Sequence, residues 1–432
     1  MACNTHRRSA KAKLGLGGDS QPLFSKGTSM AIDAIDRGPG GVERESRGFS
    51  LNDPNVRSVI YQALLALLVV YLAWSGWTNL QANLAAQSKA TGFGFLDNPA
   101  GFTISQTFID YSSSTSTYGR VFLVGLVNTL VVSAIGIVLA TILGFVFGVA
   151  RLSTNFVVRI VSTSYVEVVR NTPLLLQIFI WYFAILTESL PGARDPIDLG
   201  AFGLLNVGGW YAPRPIFGEG SSLIFYAFLI GLVAAYLISR WAKARQMRTG
   251  QTFPTFWTTL ALVVGLPLIV FLAMGAPLTF EFPEQGRFRP SGGARLSPEF
   301  IALLLALTFY TAAFIAEIVR AGILAVNRGQ TEASYALGLR PGRTLRLVVI
   351  PQAMRVIIPP LTSQYLNLTK NSSLAVAIAY PDLVAVFAGT ALNQAGQEVE
   401  FILITLLTYL TISLTVSAVM NWYNRRVALV ER

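Results

Sequence analysis

The chain has 432 residues, of which 53% are hydrophobic and only 13% charged, with a mean hydropathy of +0.54 and a formal net charge of +11. A soluble domain of this length could not cover so much apolar surface, so lipid is the expected solvent; the basic excess reads as loop charge, not a nucleic-acid surface, because no basic helix or aromatic–basic repeat is present. One cysteine, Cys3, and one histidine, His6, both in a polar N-terminal stretch, exclude disulfides, thiolate metal clusters and a histidine-based triad, and the absence of a GxxxxGK[ST] loop excludes a P-loop of the chain's own.

Residues 1–57 are rich in Gly, Ser and charge and lack an apolar run. They read as a mobile cytoplasmic tail and not as a signal peptide, with Met30 as a second candidate start. Residues 58–432 carry eight apolar segments, at about 59–80, 121–150, 160–186, 223–238, 256–274, 300–326, 356–379 and 401–422. Each reaches the roughly 20 residues that a membrane helix needs, some with tilt. The expected fold is therefore all-α and polytopic, with about eight transmembrane helices and both termini on one side. The third segment is interrupted by Arg170-Asn171-Thr172-Pro173, and the seventh contains Pro359, Pro360, Lys370 and Asn371.

Lys and Arg set the orientation. Arg240, Lys243, Arg245 and Arg248 follow the fourth segment; Arg328, Arg340, Arg343 and Arg346 follow the sixth; Arg425, Arg426 and Arg432 close the chain. With eight spans all three groups fall on the side of the tail. The loop from Gln81 to Tyr118 holds only Lys89 and fits the outside, whereas Arg287, Arg289 and Arg295 conflict with the scheme, softened by Glu281 and Glu284. In the second segment Gly136, Ala140, Gly144 and Gly148 share one helical face and let another backbone approach closely, a hint of packing against a similar chain unless it is chance in a Gly-rich sequence.

Polar groups inside a membrane are costly and are functional candidates first. Four clusters qualify: Asn128 and Thr129; Glu167, Arg170, Asn171 and Thr172; Tyr310, Thr311 and Glu317; and Gln364, Asn367, Thr369, Lys370, Asn371 and Ser372. Arg170 or Lys370 could meet a substrate carboxylate, and Glu317 an ammonium group. Glu167 with Arg170 and Glu317 with Arg320 are also spaced i,i+3, so each pair could be satisfied internally. Asn371, Ser372 and Ser373 have a better claim, since an interrupted helix presents backbone groups to a cavity. No carboxylate cluster suggests a metal.

The stretch between the sixth and seventh segments holds Glu332-Ala333-Ser334, Gly338 six residues on, and then Val348, Ile350 and Pro351. It reads as two short helices joined at a Gly-permitted turn, the second ended by Pro. Apolar Ala333, Ala336, Leu337 and Leu339 on a basic loop suggest a partner surface, or else a helix lying on lipid.

This stretch resembles the EAA loop of ABC-importer permeases, with Ser334 at the third position and Val348-Val349-Ile350-Pro351 at the end. VEVVRNTPLLLQIFIWYF (Val166 to Phe183), FYTAAFIAEIVRAGILAV (Phe309 to Val326) and NLTKNSSLAVAIAYPDLV (Asn367 to Val384) resemble the polar amino-acid (histidine/glutamine/general L-amino-acid) permeases, most nearly the general L-amino-acid subunits and their glutamate/glutamine/aspartate/asparagine relatives. The resemblance covers residues 52–432. It implies a five-helix type I importer core made of the second, third, sixth, seventh and eighth segments, with the first, fourth and fifth as additions. It further implies a multi-pass protein of the bacterial inner membrane, half of an amino-acid path in a heterodimer with a second permease. Two ATPase subunits would bind the ATP and magnesium, this chain holding no cofactor itself, and a periplasmic binding protein would deliver substrate. The loop from Thr331 to Pro351, with Glu332, Ala333, Ser334, Gly338 and Pro351, would couple to an ATPase. An ion-coupled secondary amino-acid transporter is the alternative, with Glu317 as its one candidate relay acid; a membrane enzyme ranks last.

Overall fold

The computed structural model describes residues 54–86, 92–218 and 220–427. Of residues 1–57, read as a tail, residues 54–57 open the first helix, and residues 1–53, with Cys3, His6 and Met30, lie outside the described residues, as do Lys89 and Arg432. The chain divides into two units, Met1–Asn83 and Leu84–Arg432. The described part of the first lies in helix α1 (Pro54–Ala86), which is long and apolar enough to cross a membrane.

The second unit holds α2 (Tyr118–Ala150), α3 (Phe156–Arg170), α4 (Leu174–Thr187), α5 (Ser221–Thr249), α6 (Thr255–Ala273), α7 (Pro298–Leu324), α8 (Arg328–Ala336), α9 (Pro341–Ile378), α10 (Leu383–Ala395) and α11 (Glu398–Val427). Seven helices among the described residues are long and apolar enough to cross a membrane, and α3 with α4, bent by 108° at their junction, makes eight if the pair counts as one span. Short strands lie between the spans, which the helical reading of the sequence did not anticipate. Strands β1 (Ile197–Asp198), β2 (Leu204–Asn206) and β3 (Gly209–Ala212) form an antiparallel sheet with β8 (Ala294–Leu296) in the order β1-β2-β3-β8. Strand β4 (Arg214–Phe217) pairs with β5 (Leu278–Glu281), and β6 (Glu284–Gln285) with β7 (Pro290–Ser291).

These pairings fix the path of the chain. The β3–β8 ladder joins the segment after α4 to the segment before α7, so α5 and α6 leave that end of the bundle and return as a hairpin. Gln106, in the loop before α2, accepts a hydrogen bond from the Ser297 amide through its Oε1 (2.9 Å), which brings the starts of α2 and α7 to the same end. The Gly92 amide donates to Glu400 at the start of α11 (2.8 Å), adding that helix to the same end. The exposed turn between α8 and α9 is therefore at the opposite end, beyond the C-terminus of α7.

The core is built on α7, whose buried face includes Leu303, Leu307, Ile315 and Val319. Its main neighbour is α2, running parallel. A Cβ at Gly144 would stand 2.5 Å from Ile315 Cγ2, and one at Gly148 would stand 2.8 Å from the Ala316 carbonyl oxygen. The Gly136–Gly148 face thus seats α7 of the same chain; the hint of a partner chain from this stripe is overturned, because an internal helix already occupies it. By contrast, α5 and α6 pack chiefly on each other through Ala227, Gly231 and Ala235.

Two boundaries differ from the sequence reading. The basic residues 240–248 extend α5 as helix and do not form a loop. The interruption read at Arg170–Pro173 is a break in the helix: Pro173 lacks an N–H and pushes Thr172 out of the helical region, so α3 ends at Arg170 and α4 restarts at Leu174. Pro351 does not end a short helix, since residues 341–378 run on as one helical rod through it. A wide π-type turn at Leu345–Val349 accommodates the ring where a regular turn would clash with the carbonyl four residues earlier. Of the outlying arginines, Arg295 lies in β8 and its Nε donates to the Gly208 carbonyl (3.0 Å), while Arg287, in the turn between β6 and β7, lies over the Phe288 ring, as does Arg194.

Candidate functional site

The break between α3 and α4 exposes carbonyls that need donors. Asn171 Nδ2 donates to the Glu167 carbonyl (2.8 Å) and Thr172 Oγ1 to the Val168 carbonyl (2.7 Å). Buried Gln177 reaches back to the carbonyls of Val169 (2.9 Å) and Thr172 (3.1 Å). Asn171 and Thr172, candidates for the substrate path, here spend their side chains on holding the bend. Gln177 was missed; a lone glutamine four residues after a proline in an apolar segment is the signal for it.

Beside the bend lies an ion network. Glu317 pairs with Arg151, with Arg320 Nη2 (2.6 Å) and with Arg170 Nη1 (3.7 Å). Glu167 pairs with Arg151 Nη2 (3.3 Å). The expected Glu317–Arg320 pair forms, but the i,i+3 pairing of Glu167 with Arg170 does not: Arg170 leans over the Phe314 ring, 5.2 Å from its centroid, and toward Glu317. Arg151, with only 8% of its side chain exposed, is the hub that sequence reasoning missed, although an arginine closing an apolar run of 30 residues marks it. With three guanidinium groups around it, Glu317 is not a free relay acid.

At the other end, Asn128 is fully buried and straps two segments to α2, donating 2.8 Å bonds to the carbonyls of Gln106 and Pro381. Tyr380 donates to the Asn128 carbonyl (3.1 Å), and Thr129 Oγ1 accepts from the Leu383 amide (3.0 Å). Asp382 caps the start of α10 through the Ala385 amide (2.8 Å). Asn128, a candidate for the substrate path, is here an internal strap with no exposed surface. Thr311 is also buried, and Tyr310 packs against Phe314 with the rings tilted and their centroids 4.9 Å apart.

The α9 cluster divides. Thr369 and Ser372 are buried, and their hydroxyls bond back to the Tyr365 and Thr369 carbonyls. Asn371 is half-buried at the point where α9 tightens into a 3₁₀ segment, Ser372–Ile378, which ends at Ala379 with φ 57°. Lys370 is exposed and has no ion-pair partner among the described residues. It opens on a groove of about 390 Å³ shared with Ser373, Thr405, Tyr409 and Ser413. The neighbouring Leu368 packs against Gly136, halfway along α2, so Lys370 stands near the middle of the bilayer. A cation there costs several kcal/mol in hydrocarbon. The groove must therefore meet water or protein.

The turn between α8 and α9 has a buried pin and an apolar crown. Ser334 is buried and donates to the Gln330 carbonyl (2.7 Å), and the Leu339 amide donates to the Ser334 carbonyl (3.1 Å). Around it Glu332, Ala333, Tyr335 and Ala336 are exposed and Leu337 is 81% exposed. Gly338 takes φ +74° with nothing near its Cβ position, the left-handed turn that glycine permits. Among the described residues no group of three His, Cys, Asp or Glu side chains gathers at metal-ligand distance.

Among the described residues, seven helices long and apolar enough to cross a membrane, with the bent α3–α4 pair beside them, define a polytopic membrane protein. The chain belongs to the family described as "Binding-protein-dependent transport system inner membrane component", which matches residues 227–429. It is 51% identical over 403 residues to the "General L-amino acid transport system permease protein AapQ" of Rhizobium johnstonii, covering 93% of this chain and 100% of that protein. It is 51% identical to the "Putative amino-acid ABC transporter permease protein YhdX" of Escherichia coli, over 89% of this chain and 97% of that one. It is 42% identical to the "Glutamate/glutamine/aspartate/asparagine transport system permease protein BztB" of Rhodobacter capsulatus, over 89% and 98%.

Proposed function

We propose that this permease forms half of the translocation path of an ATP-driven amino-acid importer and takes its drive from an ATPase partner at the turn between α8 and α9. The observation that carries this reading is the crown of exposed apolar side chains at Tyr335–Leu337 on a pinned, glycine-bent turn, a surface suited to a complementary groove. The partner would bind the ATP and magnesium. The amino-acid substrate is taken from the names of the relatives. The open Lys370 groove argues for a second permease closing the path from the facing side, since a lone cation at that depth needs a protein or aqueous neighbour. A periplasmic binding protein would deliver substrate at the sheet-bearing end. Basic residues gather at the other end, which the positive-inside bias makes cytoplasmic, with both termini there.

Leu337→Asp tests the reading. It changes a side chain that touches little in this chain, so the protein should still insert and fold. In proteoliposomes holding the two permeases and the ATPase, supplied with the binding protein and substrate, stimulated hydrolysis and uptake should both be lost. Normal uptake with that variant would overturn the assignment of the turn.

A further inference from the structure

The hairpin of α5 and α6 carries a groove and a charge pattern that the transport reading does not use. Helix α5 has 29 residues, about 43 Å at 1.5 Å per residue, well beyond the roughly 30 Å of bilayer hydrocarbon. If the apolar part begins at Ser221, the hydrocarbon ends near Arg240, and Arg240, Lys243, Arg245 and Arg248 stand at headgroup level. Between residues 221 and 280 there is no Asp or Glu. None of the four basic side chains has a carboxylate partner among the described residues; Arg245 stacks on Trp241 and bonds to Gln251 (2.8 Å), and Arg240 lies over the Tyr236 ring.

The two helices meet at the backbone where Gly231 faces the Leu262 carbonyl. A π-type turn at Ala261–Gly265 precedes Pro267 there. Toward the hairpin tip they leave a cleft of about 590 Å³. Leu232, Leu260, Val263 and Val264 line its depth, and Ser239, Thr255 and Thr259 give it hydroxyl-bearing walls. Lys243 is one helical turn beyond Ser239 on the same face, and Arg240 is next to it. Exposed Trp241 and Trp257 flank the tip, the amphipathic rings expected at a membrane–water boundary.

We propose that this cleft binds an anionic phospholipid of the leaflet on the side of the α8–α9 turn. Its acyl chain would fill the apolar depth, and its phosphate would sit at Lys243 and Arg240 beside the Ser239 and Thr255 hydroxyls. The acid-free basic tip selects a negative headgroup, and the apolar depth distinguishes a lipid from free phosphate. The inference does not depend on the transport reading.

The test is a titration of the purified full-length chain in neutral detergent with fluorescent phosphatidylglycerol, with phosphatidylcholine and inorganic phosphate as comparisons. Phosphatidylglycerol should bind saturably, phosphatidylcholine much more weakly, and phosphate should not displace it. Arg240→Gln and Lys243→Gln should each weaken binding about five-fold, equivalent to ~1 kcal/mol per basic residue. Thr259→Trp should block the cleft and abolish binding with the charges intact, and Arg240→Lys should retain it. Equal affinity for phosphatidylcholine, displacement by inorganic phosphate, or unchanged binding in both Gln variants would overturn the proposal. None of these readouts needs the ATPase or a substrate, so a failure here is separate from a failure of the transport reading.

Discussion

Gly322, near the end of α7, and Ile357, on α9, mark where the two helices flanking the exposed turn cross. A Cβ on residue 322 would overlap Ile357 Cγ1 and stand 3.3 Å from the Ala353 carbonyl oxygen. Ile357 is 2% exposed, so its side chain has little room to swing away. Overpacking by a methyl group costs roughly 1–3 kcal/mol, and about 2 is expected for Gly322→Ala because a flexible side chain, and not only backbone, is in the way. Ile357→Ala alone leaves a cavity and should cost about 3 kcal/mol, inside the usual span for a buried isoleucine. Together the new methyl enters the space the isoleucine vacates, so the double variant should be more stable than the sum of the single losses by at least ~1 kcal/mol. The assay is the thermal midpoint of the solubilised chain for all four members of the cycle, at one scan rate. Additive losses would refute the reasoning, because they would mean that the helices do not meet at these two residues.

Glu317→Gln strands the shielded Arg151 with only the exposed Glu167. Breaking a buried pair from one side costs roughly 3–5 kcal/mol, and the partial exposure of Glu317 reduces this to about 2. Arg151→Met should cost less, since Glu317 keeps Arg320; thermal midpoints showing the reverse order would contradict the network. Asn128→Leu frees two buried carbonyls, each worth about 1–3 kcal/mol when unsatisfied, and hydrogen exchange should rise around residues 380–383 before it rises in α7. With Cys3 replaced by serine, a cysteine at position 246 should be labelled by a membrane-impermeant reagent from the cytoplasmic side alone, and labelling from the periplasm would reverse the orientation.

How much of this was legible in the sequence depends on the range of the interaction. The spans follow from local composition and were readable as apolar runs. The left-handed turn at Gly338 and the weak point at Pro173 were readable too, because each depends on one residue's backbone. What stayed hidden depends on partners distant in sequence. Nothing near Asn128 announces that it will bond to Pro381, and the hub at Arg151 exists only because α3 and α7 bring two carboxylates to it. The small-residue face of α2 was legible as a contact, but the occupant was not, since Gly144 reads the same whether its neighbour is Ile315 or another chain. The strands escaped because three- and four-residue ladders such as β3 with β8 carry no periodic signal long enough to see.

The rod from Pro341 to Ile378 has a mechanical consequence. It is pinned near Ile357 by Gly322, with the exposed turn at one end and Lys370 on the other side of the pin. Sixteen residues separate Pro341 from Ile357 and thirteen separate Ile357 from Lys370, about 24 Å and 20 Å of helix. The rod is held at a second place, where Leu368 packs against Gly136 of α2, and residues with positive φ, Gly338 and Ala379, lie just beyond its two ends. A displacement that enters the rod at its turn end must pass both contacts to reach the lysine, so the turn and the mid-membrane groove are linked through the packing of α9 on α7 and α2.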